Sequence, residues 1–259
     1  MLRGMYTGAS AMMAEQVRVD VLANNLANGQ TTGFKREAVL QSAFPSMLLR
    51  RIGDPVRMRS GDAAGGDLRP VVGRLGTGTY VDGTYTVYEA GPLRFTGNSF
   101  DVALVGNGFF AVETPGGVRF TRDGRFTLDG DGWLVTLTGY RVLGQAGPIR
   151  ILGSDVRIDE DGRVFVDGEL VAALQPVGFD EPQGLLREGA GLWAATAASG
   201  PPQPAGARVH QGYLEQSNVN LVSTMVELIS AYRSYEANQR VVQAYDQTLG
   251  KAVNELGRV

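Results

Sequence analysis

Asn218-Val219-Asn220-Leu221-Val222-Ser223-Thr224-Met225-Val226-Glu227-Leu228 opens a pattern that runs almost to the C-terminus. Leu221, Met225, Leu228, Tyr232, Tyr235, Gln239, Val242, Asp246, Leu249, Val253 and Leu256 alternate steps of four and three. That is a heptad repeat, apolar at nearly every a and d position, sustained for about five heptads. No Pro interrupts it, and Gly250 is its one interior Gly. The spacing predicts a helix from Asn220 to Leu256, roughly 55 Å long at about 1.5 Å per residue. A seam that narrow and long is not buried by its own helix, so it demands a partner.

The first candidate partner lies at the other end of the chain. Leu2, Met5, Ala9, Met12, Gln16, Val19, Ala23 and Leu26 also alternate threes and fours, predicting a helix over residues 1–28. Its seam is leaner, with small residues that let helices approach and Met that adapts to irregular neighbours. Asn28-Gly29 supplies a stop, since both tolerate the left-handed conformation that ends helices.

Between the helices the texture changes twice. Residues 29–75 lack a clean period and include Gly53-Asp54-Pro55 and a flexible Gly/Asp-rich stretch at 60–67. Residues 1–60 carry eight Lys/Arg against four acids, a locally basic arm suited to contact between copies of an acidic chain. Residues 76–215 alternate short Val/Leu/Phe/Thr runs with Asp-Gly steps at 123–124, 129–130, 131–132, 161–162 and 167–168, which read as hairpins. The last predicted strand is about Arg208–Leu214, and Phe109, Phe120, Phe126, Trp133, Phe165 and Trp193 are the expected core. The predicted fold is α+β, with long N- and C-terminal α-helices packed together and an inserted all-β antiparallel domain. Its parts are a helical assembly domain (1–28 plus 216–259), an extended arm (29–75) and the β domain (76–215).

The chemistry-bearing residues are few. The chain has 259 residues, a net charge of −3 and no Cys, which excludes disulfides, thiolate catalysis and Cys-ligated metal. The charge gives no global case for nucleic acid. His210 is the single histidine and sits in an alternating, strand-like stretch, so a His-based triad or multi-His metal site has no materials. The acidic tips 129–132 and 159–162 would need a carboxylate twelve positions along to chelate calcium, and Tyr140 and Leu170 stand there. No catalytic, cofactor-binding or metal-binding residue, no small-molecule substrate and no cofactor is therefore expected. No run of about 18 apolar residues exists, so no membrane insertion is expected. Residues 1–6 do not read as a signal peptide. A rival reading, a β-rich surface hydrolase or carbohydrate-binding domain with oligomerising helices, would require a concave site with convergent polar groups.

Two motifs carry a resemblance. Val21-Leu22-Ala23-Asn24-Asn25-Leu26-Ala27-Asn28 followed by Thr31-Thr32-Gly33-Phe34-Lys35-Arg36 resembles the N-terminal signature of bacterial flagellar rod and hook proteins. Gly212-Tyr213-Leu214-Glu215-Gln216-Ser217-Asn218-Val219-Asn220 is similar to the matching C-terminal signature. The stretches 100–110 and 120–126 resemble the β domain of the FlgF/FlgG-type rod proteins. Residues 139–144 and 147–151 look more like the proximal type, FlgF, and the terminal signatures more like the distal type, FlgG. The proximal type is the expectation and the distal type the alternative.

The resemblance implies a non-enzymatic structural subunit that polymerises helically and transmits torque across the periplasm. Its terminal helices would form the inner layer of a tube and its β domain the outer. It also implies partners among its own copies and other rod and hook proteins, and unprocessed passage through the flagellar type III export apparatus. The expected assembly interface is Leu2, Met5, Met12, Val19, Leu26, Leu221, Met225, Leu228, Tyr232, Tyr235, Val242, Leu249, Val253 and Leu256. The motif residues are Asn24, Asn25, Leu26, Asn28, Gly33, Phe34, Lys35, Ser217, Asn218 and Val219.

Overall fold

A computed structural model describes residues 2–50 and 71–256, without the side chains of Leu2, Glu255 and Leu256. The Gly/Asp-rich stretch at 60–67 and the basic residues Arg51, Arg57 and Arg59 lie outside the described residues. The chain is α+β and forms two compact units. The first comprises residues 1–22, 39–84 and 226–259, the second residues 23–38 and 85–225.

Helix α1 spans Leu2–Ala27 and helix α2 spans Leu221–Leu256. The side-chain oxygen of Asn220 accepts the backbone N–H groups of Val222 and Ser223, both at 3.1 Å, an N-cap that starts α2 one residue after the predicted position. At the end of α1 the Asn28 side chain donates to the carbonyl of Asn24. Neither Asn28 nor Gly29 takes a positive φ. Gly29 instead lies close to α2, since a Cβ there would lie 2.2 Å from Leu221 Cδ2 and would displace that side chain.

In the first unit the helices run antiparallel. Gly4 meets Tyr245, Gly8 meets Val242, and Val19 and Leu22 pack with Leu228 and Ala231. The buried and half-buried face of α1 runs through Met5, Gly8, Met12, Glu15, Val19 and Leu22, and the face of α2 level with it through Leu228, Ala231, Tyr235, Asn238, Val242 and Tyr245. These faces share Met5, Met12, Val19, Leu228, Tyr235 and Val242 with the predicted seams. At the alternate positions they run one residue earlier: Gly8, Glu15 and Leu22 in place of Ala9, Gln16 and Ala23, and Ala231, Asn238 and Tyr245 in place of Tyr232, Gln239 and Asp246. Small residues decide the shift, because a Cβ on Gly8 would sit 2.9 Å from Val242 Cγ2.

Two ribbons complete this unit. Strands Glu37–Ala43 and Thr79–Thr86 pair, as do Met47–Arg50 and Val71–Leu75. The turn at 76–79 rests on α1, where the Thr79 N–H donates to the Ser10 hydroxyl and the Thr7 hydroxyl to the Thr77 carbonyl. Gly78, at φ 132°, leaves room for Ser10. Met47, Leu48, Leu49, Val71 and Val72 of the second ribbon are all exposed.

The second unit is antiparallel β. Its largest sheet runs in the order Leu186–Gly189, Leu192–Ala194, Gly117–Thr121, Phe110–Thr114, Arg141–Gly144, Leu134–Thr136, Phe126–Leu128, with Gly147–Pro148 beside Arg141–Gly144. Val156–Ile158, Arg163–Val166 and Glu169–Ala173 form a second sheet. One apolar cluster gathers Phe110, Phe126, Leu134, Val142, Val164 and Val209, and another gathers Phe109, Phe120, Leu185 and Trp193. Trp133 and Phe165, expected in the core, are only half-buried. Trp133 has the guanidiniums of Arg141 and Arg150 over its ring, at 4.9 and 5.5 Å, which keeps one edge toward solvent.

Asp167-Gly168 takes positive φ at both residues and closes a two-residue hairpin as predicted. Asp123-Gly124 is not a hairpin tip. A Cβ on Gly124 would lie 1.6 Å from the Val102 carbonyl oxygen, so this Gly serves backbone contact. The carboxylates of Asp129 and Asp159 each accept two backbone N–H groups of their own turns. The predicted strand at 208–214 is two, Arg208–Gln211 and Tyr213–Glu215, broken at Gly212 with φ 78°. The first pairs with Val102–Val105 and the second with Leu93–Phe95.

The close helix contact gives a direct test. Gly8→Val lowers stability of the first unit by about 1–3 kcal/mol through overpacking. Adding Val242→Ala recovers part of that loss in thermal melts followed by helical circular dichroism. Equal melting of Gly8→Val and the parent chain would refute the contact.

Candidate functional site

The motif segments converge in the second unit on one buried carboxylate. Glu215 lies in the strand Tyr213–Glu215, and its side chain is 1% exposed. Lys35 Nζ, 2% exposed, donates to Glu215 Oε1 at 2.7 Å and to the Glu89 carbonyl at 2.7 Å. Arg122 Nε, 4% exposed, donates to Glu215 Oε2 at 2.5 Å. The rest of that guanidinium is held by the carbonyls of Leu104, Gly106 and Gly108. Glu215 Oε1 also accepts the Gly91 N–H at 2.9 Å, and its backbone carbonyl accepts the Gly33 N–H at 2.8 Å.

Local sequence sets up this convergence. Gly33 has φ 68°, and a Cβ there would lie 2.5 Å from the Arg122 carbonyl carbon. Only Gly fits a left-handed residue pressed on another backbone. Gly91 is equally constrained, since its Cβ would meet the Gln216 carbonyl oxygen at 1.9 Å. Asn25 is buried and makes two bonds to Glu37, donating to its carbonyl at 2.7 Å and accepting its N–H at 2.9 Å. Asn218 accepts the Arg36 N–H and donates to the carbonyls of Val87 and Glu89. Ser217 is buried and its hydroxyl accepts the Val219 N–H. Phe34 is buried under the Arg187 guanidinium, 4.2 Å from its ring centre, and Arg187 pairs with Glu37 at 2.8 Å.

Burial pushes the Glu215 carboxyl up, but Arg122 and Lys35 outweigh it and hold the group below its usual value. Burial draws the Lys35 ammonium below the ordinary lysine range, against the pull of Glu215. Burial pushes the Tyr88 phenol up to about 12, and its hydroxyl donates to the Pro182 carbonyl at 2.8 Å. A cleft of about 320 Å³ beside this centre is lined by Tyr88, Phe109, Phe179 and Asp180 as well as both cations. Those cations are committed to Glu215 and to carbonyls, so the cleft does not present them to a substrate.

The predicted residues thus divide by role. Asn25, Gly33, Phe34, Lys35, Ser217 and Val219 are buried, Asn28 and Asn218 half-buried, and Asn24 exposed. Of the predicted interface, Val19 is buried, and Met5, Met12, Leu26, Leu221, Leu228, Tyr235, Val242 and Leu249 are half-buried. Met225, Tyr232 and Val253 point outward, at 50%, 53% and 71% exposure. The side chains of Leu2 and Leu256 lie outside the described residues. Arg122 and Glu215 were not among the predicted site residues. Their signal was available, since each is a charge inside a quoted motif, but only the fold shows that they meet.

One unit pairs two long helices through small residues and leaves large apolar ones exposed, and the other is a β unit with a buried charge centre. The chain belongs to the flagellar basal-body rod protein family. Three family descriptions match it: flagella basal body rod protein at residues 5–35, flagellar hook protein FlgE/F/G D1 domain at 103–166, and flagellar basal body rod FlgEFG protein C-terminal at 210–255. Each matched segment contributes one member of the Lys35, Arg122 and Glu215 centre. The chain is 35% identical to the flagellar basal-body rod protein FlgG of Borreliella burgdorferi over 98% of both chains. It is 32% identical to the flagellar hook-basal body complex protein FlhO of Bacillus subtilis over the full length of both. It is 34% identical to the rod protein FlgF of Caulobacter vibrioides over 98% of both.

The charge centre predicts a pH signature. Because the folded carboxyl titrates below the ordinary 4.5, the pairing stabilises above that pH and is lost as pH falls through the depressed folded value. Glu215→Gln therefore costs about 3–5 kcal/mol at pH 7, the range for removing one partner of a buried pair. The difference between the two chains narrows in urea melts taken at falling pH. A gap that stayed constant from neutral to acid pH would contradict the assignment.

Proposed function

We propose that the chain is a structural, non-enzymatic subunit of the flagellar rod, polymerising helically to carry torque from motor to hook. The observation that carries this reading is the outward apolar face of α2. Val222, Met225, Val226, Ile229, Tyr232 and Val253 are exposed although α2 already has an intrachain partner along its other face. On α1, Tyr6, Met13 and Val17 are exposed in the same way. Monomeric proteins avoid continuous strips of this kind, and repeated contact between identical copies covers them.

The predicted interface thus separates into two functions. Met5, Met12, Val19, Leu228, Tyr235, Val242 and Leu249 hold α1 against α2, and Met225, Tyr232 and Val253 meet neighbouring copies. The exposed ribbon of Met47–Arg50 and Val71–Leu75 extends the contact surface, and the basic arm bridges neighbours. Contacts between different surfaces of identical subunits do not close and give a filament. Other rod and hook proteins cap its ends. The subunit reaches the rod through the flagellar type III export apparatus.

Relatives named FlgG and FlgF match at similar identity. The likeness of residues 139–144 and 147–151 to the proximal type supports a proximal position, with the distal position as the second reading. Subunit-specific labelling of isolated basal bodies tests it, with label expected at the end nearest the motor.

Met225→Asp combined with Tyr232→Asp removes polymerisation and swimming and leaves the thermal melt of the monomer within about 0.5 kcal/mol of the parent, as for exposed substitutions. Assembled rods and normal motility in that double variant would sink the proposal. Leu228→Asp, by contrast, lowers monomer stability as well, because Leu228 packs in the helix pair.

A further inference from the structure

We propose that Glu215 is a closing latch: the β-rich second unit stays open until this residue is made, because Lys35 and Arg122 cannot be buried together without it. The chain order makes this possible. Lys35 precedes Glu215 by 180 positions and Arg122 precedes it by 93. During synthesis both cations, and nearly all the apolar core, are available long before their counter-charge. Every buried member of the unit's two apolar clusters lies before Glu215, and Val209 is the last of them. Apolar burial alone would therefore let the unit close once the strand Arg208–Gln211 has paired with Val102–Val105.

The charge centre forbids that early closure. The carbonyls of Leu104, Gly106 and Gly108 satisfy the Arg122 N–H groups, and the Glu89 carbonyl satisfies Lys35. Carbonyls accept hydrogen bonds but carry no net charge, so two cations would remain buried and mutually repelling. Neighbouring carboxylates are placed elsewhere. Glu89 turns its side chain outward toward Arg36, and Asp180, on the wall of the adjoining cleft, accepts from Gln203. Glu215 alone among the described residues forms an ion pair with either cation. Its arrival also adds the strand Tyr213–Glu215 to Leu93–Phe95 and brings its carbonyl to the Gly33 N–H. One residue thereby ties the first, middle and last segments of the unit in a single step.

Ribosome-arrested nascent chains, stalled at single-residue steps and treated briefly with protease, test the latch. In the parent chain, protection of residues 85–211 is expected to appear only when Glu215 has cleared the tunnel. Glu215→Gln, which keeps the last strand and removes only the charge, is expected to gain protection only at lengths greater than the parent's, and to a smaller extent. Combining Lys35→Met, Arg122→Met and Glu215→Leu is expected to give protection at a length no greater than the parent's, and earlier if pairing of Arg208–Gln211 suffices. Protection of the parent before Glu215 emerges, or protection of Glu215→Gln at the parent's length, overturns the proposal. Those two arms decide it even where the triple substitution fails to fold.

Discussion

A single carboxylate paired with two buried cations is the constraint on which the β-rich unit depends. Taking Lys35 and Arg122 out of water is costly, and attraction to Glu215 offsets that cost only with tight geometry and every remaining donor satisfied. The surrounding sequence supplies tight pairing and most of the remaining partners. Four backbone carbonyls take the spare N–H groups, and the Gly91 N–H completes the carboxylate. The glycines follow from the same demand. Gly33, Gly91 and Gly124 stand where a Cβ would collide with backbone atoms of Arg122, Gln216 and Val102. Residues that read as signatures of both termini are thus parts of one packing problem in the interior.

The helical unit answers a different constraint. Its two helices approach through Gly4, Gly8 and Ala231, so little apolar area is removed from water per residue of contact. The larger side chains, Met225, Val226, Ile229 and Tyr232, are on the other side of α2. A helix pair meant to stand alone would place them inward. This division, with small residues toward the intrachain partner and large ones outward, leaves a strip of apolar side chains exposed on the single chain.

Much of this was legible in the sequence, and the failures have definite causes. The α+β organisation, both long helices and most short strands follow from apolar periodicity and turn residues. On each helix the face turned to the intrachain partner shares one heptad position with the apolar seam and runs one residue earlier at the other. Apolarity marks any face that will be covered, and it does not say whether the cover is the same chain or another. Gly8 and Ala231 carry no apolar signal, yet they choose the intrachain face. Asp123-Gly124 has the composition of a hairpin but is selected for contact with Val102, a tertiary demand that local reading does not register. The charge centre was hidden for the same reason: Lys35, Arg122 and Glu215 are ordinary charges until the fold joins them.

The two units therefore hold their stability in different currencies, and this bears on assembly. The β-rich unit is complete within one chain, with Lys35 and Arg122 paired to Glu215 and its large aromatics Phe109, Phe110, Phe120, Phe126 and Trp193 buried. The helix pair is incomplete within one chain, because its larger apolar residues face outward. A subunit with one finished unit and one unfinished unit can exist as a folded monomer and still gain strongly from polymerisation. Under the proposed assembly the gain would be confined to the helices and exposed ribbon, so growth would not require the β core to rearrange. Each added copy would cover part of the strip on the copy before it and present its own, which is the condition for an open filament.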